Sequence, residues 1–153
     1  MNKNTYLALT VGPIYGTFAQ TKRTRAVWAS SYFFSWFIKQ VTSKCATEGF
    51  DVLLPHYDTT PHQSKYGSGL YADRVYLAPS NKTKDDFNII VQSVISTIAN
   101  DINDTKTSEI IKYLNQYLNI HIVEKEILEQ KDVLNHLNEA LDQQELKQSF
   151  VFK

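Results

Sequence analysis

A short apolar strand that stops at a Gly-Pro pair and gives way to a long aromatic helix constrains this chain most. Tyr6-Leu-Ala-Leu-Thr-Val11 reads as the strand, and Gly12-Pro13 ends it. Pro13 has no backbone N–H to give a sheet ladder and Gly12 tolerates positive φ, so the pair re-aims the chain within two residues. Gly16 then frees the turn. Thr17 and Gln20 have the spacing of a capping box, which predicts a helix start near Thr17. No Pro or Gly follows from Phe18 to Lys44, roughly 27 residues or about 40 Å of one continuous helix.

Basic residues, Lys22, Arg23 and Arg25, open that helix, and Trp28, Tyr32, Phe33, Phe34, Trp36, Phe37 and Ile38 follow among small Ala and Ser residues. Small residues beside rings let a helix lie close to a sheet. The Trp28, Tyr32, Trp36 stripe is read as core packing, with a base-stacking platform as the competing reading. Arg25 stands three residues before Trp28, within reach of its ring.

Gly49 is the expected stop of the helix, and Phe50–Pro55 the second strand. A polar loop, His56 to Gly69, precedes a third strand at Asp73–Ala78. Phe87, Ile90, Val91, Val94, Ile95, Ile98 and Ile102 fall on one helical face, which predicts an amphipathic helix from Asp85 to about Asp104. A shorter helix over Ser108–Leu118, a fourth strand over Asn119–Ile127 and a last helix from Glu129 to about Leu146 complete the chain. This order predicts an α+β, ferredoxin-like (split βαβ) domain, with a four-stranded antiparallel sheet, helices packed on one face and additional C-terminal helices. It spans residues 1–146, with 147–153 expected as a linker toward a following domain.

Length and charge exclude little. The 153 residues suit one domain with a real core. Sixteen basic and sixteen acidic residues cancel, so only a local patch can attract nucleic acid. Cys45 is the single cysteine, which leaves no disulfide framework or cysteine zinc site and fits a reducing cytoplasm. Asn2–Thr5 is polar and the run after it too short for a signal peptide. The aromatic stretch Val27–Val41 falls short of the roughly 20 apolar residues of a membrane span.

The stretch Gly12-Pro-Ile-Tyr-Gly-Thr-Phe-Ala-Gln-Thr-Lys-Arg-Thr-Arg-Ala-Val-Trp-Ala-Ser-Ser-Tyr32 resembles the opening signature of the large subunit of Cmr-type (type III-B) CRISPR effector complexes. Gly12, Pro13, Phe18, Ala19, Gln20, Arg23, Thr24, Arg25, Trp28, Ala29, Ser31 and Tyr32 fall in register with it. Tyr15 stands where the family has Gln, Ala26 where it has Asp and Ser30 where it has Gly. The resemblance implies the first of two palm-like domains, degenerate and non-catalytic. In the family the second palm carries a Gly-Gly-Asp-Asp hairpin and makes cyclic oligoadenylates from ATP with divalent metal. Implied partners are that catalytic palm, neighbouring Cmr subunits and, through the complex, CRISPR RNA and target RNA. On this reading the chain is a fragment or one half of a split protein in antiviral defence.

A catalytic palm holds two metal ions on carboxylates at the end of the first strand and in the following hairpin. This chain has no Asp or Glu before Glu48, and its hairpin region offers only separated Asp58 and Asp73. Two-metal cyclase activity of its own would require those two residues and is the less favoured reading. No His-Asp dipeptide is present, against the nuclease domain that often precedes the signature. His56, Asp58 and His62 suit a zinc or manganese site or, more simply, a solvated loop, and His121 and His136 read as bonded or exposed. The sharpest candidate contact surface for a nucleotide or partner is Gly12, Pro13 and Gly16 with Lys22, Arg23 and Arg25, since cations beside a helix start attract phosphate. The competing reading pairs Arg23 or Arg25 with Asp73 or with a helix carboxylate. A free-standing RNA-binding domain stays open, with Lys65 to Tyr71 as a second surface, although Tyr6, Tyr71 and Tyr76 do not make the aromatic strand of an ordinary RNA-recognition motif.

Overall fold

A computed structural model describes residues 4–20, 22–56, 71–129 and 131–149. The elements are β1 (Thr5–Gly12), α1 (Ile14–Gln20), α2 (Thr24–Thr47), β2 (Val52–Leu54), β3 (Arg74–Leu77), α3 (Lys84–Ile102), a 3-10 turn (Asp104–Lys106), α4 (Thr107–Tyr117), β4 (Asn119–Glu126) and α5 (Val133–Ser149). The strands form one sheet in the order β2-β3-β1-β4, antiparallel throughout. This is the expected α+β, ferredoxin-like arrangement.

Side chains alternate across β1, so its two faces enter two apolar clusters. Leu7, Leu9 and Val11 join Val75 and Leu77 of β3 under Phe34, Phe37, Ile38 and Val41 of α2 and Phe87, Val91, Ile95 and Ile98 of α3. Tyr6 and Ala8 join Tyr76 and Val123 against Leu137 and Leu141 of α5. Helices α2, α3 and α4 therefore share one face, and α5 covers the other. That second cover explains why β1 is buried along nearly its whole length.

The continuous helix expected from Thr17 is two helices. Arg23 has extended backbone (φ −124°, ψ 133°) and caps α2 without a side-chain hydrogen bond. Lys22 and Arg23, the described residues between the two helices, are exposed and carry no apolar side chain, so burial does not hold them helical. Nor does the Thr17–Gln20 capping box form. The Thr17 hydroxyl lies inside α1, donates to the Pro13 carbonyl at 2.5 Å and meets the Tyr117 hydroxyl at 2.5 Å.

The expected aromatic core stripe is also displaced. Residues of α2 that are buried begin only at Phe34 and continue through Phe37, Ile38, Val41 and Cys45. Trp28 is 58% exposed and Tyr32 50%, while Trp36 packs partly against the core. The first turns of α2 thus stand clear of the sheet, and the rings there face solvent.

Gly49 ends α2 as expected, at φ +83°. Its N–H bonds the Ala46 carbonyl at 3.3 Å and the Phe50 N–H bonds that of Cys45 at 2.9 Å, a Schellman closure that turns Phe50 into the core. A Cβ at Gly49 meets nothing within 4 Å, so Gly49→Ala isolates backbone strain. We expect a loss of about 1–2 kcal/mol in urea unfolding, and an unchanged midpoint would show that the closure relaxes.

Helix α3 follows its periodicity, except that Ile102 at its end is 62% exposed. A capping box starts it. Asp86 N–H bonds the Thr83 hydroxyl at 3.1 Å and Thr83 N–H returns to the Asp86 carboxylate at 2.7 Å. Those bonds from the Thr83 backbone and side chain hold the Asp86 carboxyl below its ordinary range. The last helix begins at Val133 rather than Glu129, after Asp132 takes a left-handed turn (φ 64°), and runs past Leu146 to Ser149.

Candidate functional site

The expected contact residues gather where β1 ends. Gly12 is the last residue of β1 and pairs with Asn119 of β4. Its backbone is not left-handed, contrary to expectation, because it completes a ladder instead of turning out of one. The Gly12-Pro13 peptide is cis. From Pro13 the chain enters α1 directly, with the Thr17 N–H on the Pro13 carbonyl at 3.1 Å. Gly16 faces back on this turn, so a Cβ there would lie 3.5 Å from Pro13 Cβ. That is ordinary contact, and Gly16 is a helical residue rather than a loosened turn. On the other side, the Val11 N–H bonds the Asp73 carbonyl at 3.1 Å and ties the strand end to β3.

Lys22, Arg23 and Arg25 follow α1 and open α2, all exposed. Neither Arg23 nor Arg25 pairs with Asp73. The described ion pairs belong to Arg74, with Asp142 at 2.5 Å and Glu145 at 3.6 Å. Arg25 does not sit over Trp28 either; among the described residues the cation on a ring is Lys82, 5.9 Å from Phe50. The first part of the sequence is also one-sided in charge. Six basic residues and no acidic one precede Glu48, whereas the rest of the chain carries ten basic and sixteen acidic.

Oxygen ligands do not converge here. Thr10, the buried hydroxyl nearest the strand end, donates across the other face to Glu145 at 2.8 Å. Among the described residues no three His, Cys, Asp or Glu side chains stand close enough to share a metal ion. The donor set at the end of β1 does not fit the metal pair of a catalytic palm. Asp58, His62 and the Lys65–Leu70 part of the second expected surface lie outside the described residues. His56 and His136 are exposed, and His121 sits on β4 in an open cleft of about 460 Å³ with Lys84, Asp85, Asn88 and Gln92 of α3 and Asn115 of α4.

One polar constellation was not anticipated from the sequence. Arg74 at the start of β3 donates to Asn138 at 2.5 Å and Asp142 at 2.5 Å, and the Tyr76 hydroxyl donates to Asn138 at 2.5 Å. Burial alone would lower the Arg74 pKa, but the hydrogen bond and charge of Asp142 outweigh it and raise the value. Burial pushes the Tyr76 phenol up. The group clasps α5 to the sheet. Its signal was the spacing Asn138, Asp142, Glu145, one polar face of α5 flanking the apolar face of Leu137 and Leu141.

No described helix is long and apolar enough to cross a membrane. Comparison with curated proteins returns no match. The family model described as CRISPR-associated protein Cmr2, N-terminal, matches residues 6–144, from β1 well into α5. With the Gly12 to Tyr32 signature at the corner of a ferredoxin-like sheet, the chain belongs to the N-terminal domain family of the CRISPR-associated protein Cmr2, the large subunit of type III-B effectors.

Proposed function

We propose that this chain is the degenerate first palm of a type III-B effector large subunit, the non-catalytic half beside a second palm that makes cyclic oligoadenylates. The observation that carries this reading is a family-matched sheet whose first strand ends in Gly12-Pro13 without a carboxylate. ATP and its divalent metal belong, on this view, to the partner palm. This chain contributes shape and positive charge. Gly12 and Pro13 end the strand and Gly16 adds no side chain to α1, while the exposed Lys22, Arg23 and Arg25 offer cations to a nucleotide phosphate or to a neighbouring Cmr subunit.

The test is reconstitution. The purified chain, mixed with a cognate second palm, should co-elute with it and raise ATP cyclisation above that of the second palm alone. Lys22→Gln, Arg23→Gln and Arg25→Gln together should weaken the effect by about tenfold or more, the scale of losing one or two charge-assisted bonds. No association and no change in cyclisation would end this reading. Metal-dependent ATP turnover by the chain alone, abolished by Asp58→Ala with Asp73→Ala, would replace it with a cyclase.

A further inference from the structure

We propose that the outer face of α2 binds a single-stranded polynucleotide, with bases stacked on Trp28 and Tyr32 and phosphates met by the basic residues around them. The proposal deepens the reading of the basic corner as a contact surface and rests on that part of it.

Three observations converge. Arg25, Trp28, Tyr32, Trp36 and Lys39 stand three or four residues apart, so they lie along one stripe of the helix with Ala29 beside Trp28, although Trp36 is partly buried. Trp28 and Tyr32 on it are 58% and 50% exposed, although burying either would stabilise the fold. Rings four residues apart are about 6 Å apart along the axis, with exposed Ala29 beside them leaving their faces open. Second, cations bracket the rings: Lys22, Arg23 and Arg25 at one end and Lys39 at the other, all exposed. Third, neither α1 nor α2 contains an acidic residue.

That combination selects the occupant. Nucleobases present flat faces to aromatic rings and carry a phosphate with each base, which is the usual composition of sequence-tolerant single-strand sites. An acidic protein segment satisfies the cations but leaves two exposed rings unused. A second copy docking stripe to stripe would set like charges against each other. A duplex hides the base faces that Trp28 and Tyr32 would stack upon.

The full chain should bind a fluorescent oligoadenylate RNA of roughly ten nucleotides in anisotropy titrations, with quenching of tryptophan emission. Affinity should fall with salt, the logarithmic slope shrinking by about 0.7 for each phosphate contact removed in Lys22→Gln, Arg23→Gln and Arg25→Gln. Trp28→Ala and Tyr32→Ala should each weaken binding about 5- to 150-fold, the range for one lost base stack, with thermal unfolding unchanged because both side chains are exposed. The lysine and arginine variants keep the test valid should an aromatic variant prove unstable. Equal affinity for a duplex of the same length, or wild-type affinity in both aromatic variants, overturns the proposal. So does loss of capture of an acidic Cmr subunit in those variants with RNA binding intact. Association with the second palm is measured in parallel: its failure beside intact RNA binding removes the palm-pairing reading and leaves this one standing.

Discussion

Phe37→Ala is expected to lower stability by about 3–5 kcal/mol, the cost of deleting a buried ring and leaving a cavity. Phe37 is wholly buried, in the cluster that joins α2 to Leu9, Val75 and Ile95, with its ring centroid 6.4 Å from that of Phe33. A loss of that size is a large share of the roughly 5–15 kcal/mol that holds a domain folded. In urea it should appear as a lower midpoint with an unchanged slope. Trp28→Ala is the informative contrast. Being 58% exposed, it should stay within about 0.5 kcal/mol of wild type. Equal losses from the two variants would mean that α2 presents its Trp28 face to the sheet, and the fold and the RNA-stacking proposal would fall together.

Stability should also collapse at alkaline pH, for a reason located in α2. Burial pushes the Cys45 thiol from its ordinary 9.0 up to about 12. Between those values the folded state keeps a proton that the unfolded chain releases. Unfolding therefore gains in favour as pH rises: the stabilisation is complete below pH 9 and declines above it by about 1.4 kcal/mol per pH unit. Tyr76, raised by its own burial, acts in the same direction above its ordinary 10.0. Chemical denaturation measured from neutral pH upward should show a plateau and then this slope. Cys45→Ala should flatten the first part of it and Tyr76→Phe the later part. An unaltered slope in Cys45→Ala would place the titrating group elsewhere.

The readable parts of the sequence were those where one signal had no rival. Strand β1 was bounded by polar residues and Gly12-Pro13, α3 by an apolar period that points one way, and β4 by alternation between two helices. In α2 the rings lie on every side, so hydropathy could not say whether Trp28 and Tyr32 or Phe34 and Phe37 faced the sheet. That choice depends on where α1 ends, and Thr21-Lys-Arg-Thr24 contains neither Gly nor Pro to mark it. The Thr83–Asp86 box is written as Thr-x-x-Asp, but the apolar period begins only at Phe87 and does not mark the start of the helix. Of the site, the basic corner and its glycines were legible as a local signature. The clasp around Arg74 was not, because its partners lie some 64 to 71 positions away in sequence and meet only when α5 crosses the second face of the sheet.

Strand β1 has consequences for how this family of domains can vary. Leu7, Leu9 and Val11 enter one apolar layer while Tyr6, Ala8 and the hydroxyl of Thr10 enter the other. None of these six positions looks out on water, so a charged replacement at any of them would intrude on one interior or the other. Tolerance to genetic drift must therefore be sought in the outer elements, and any engineered label or cross-link belongs on them too.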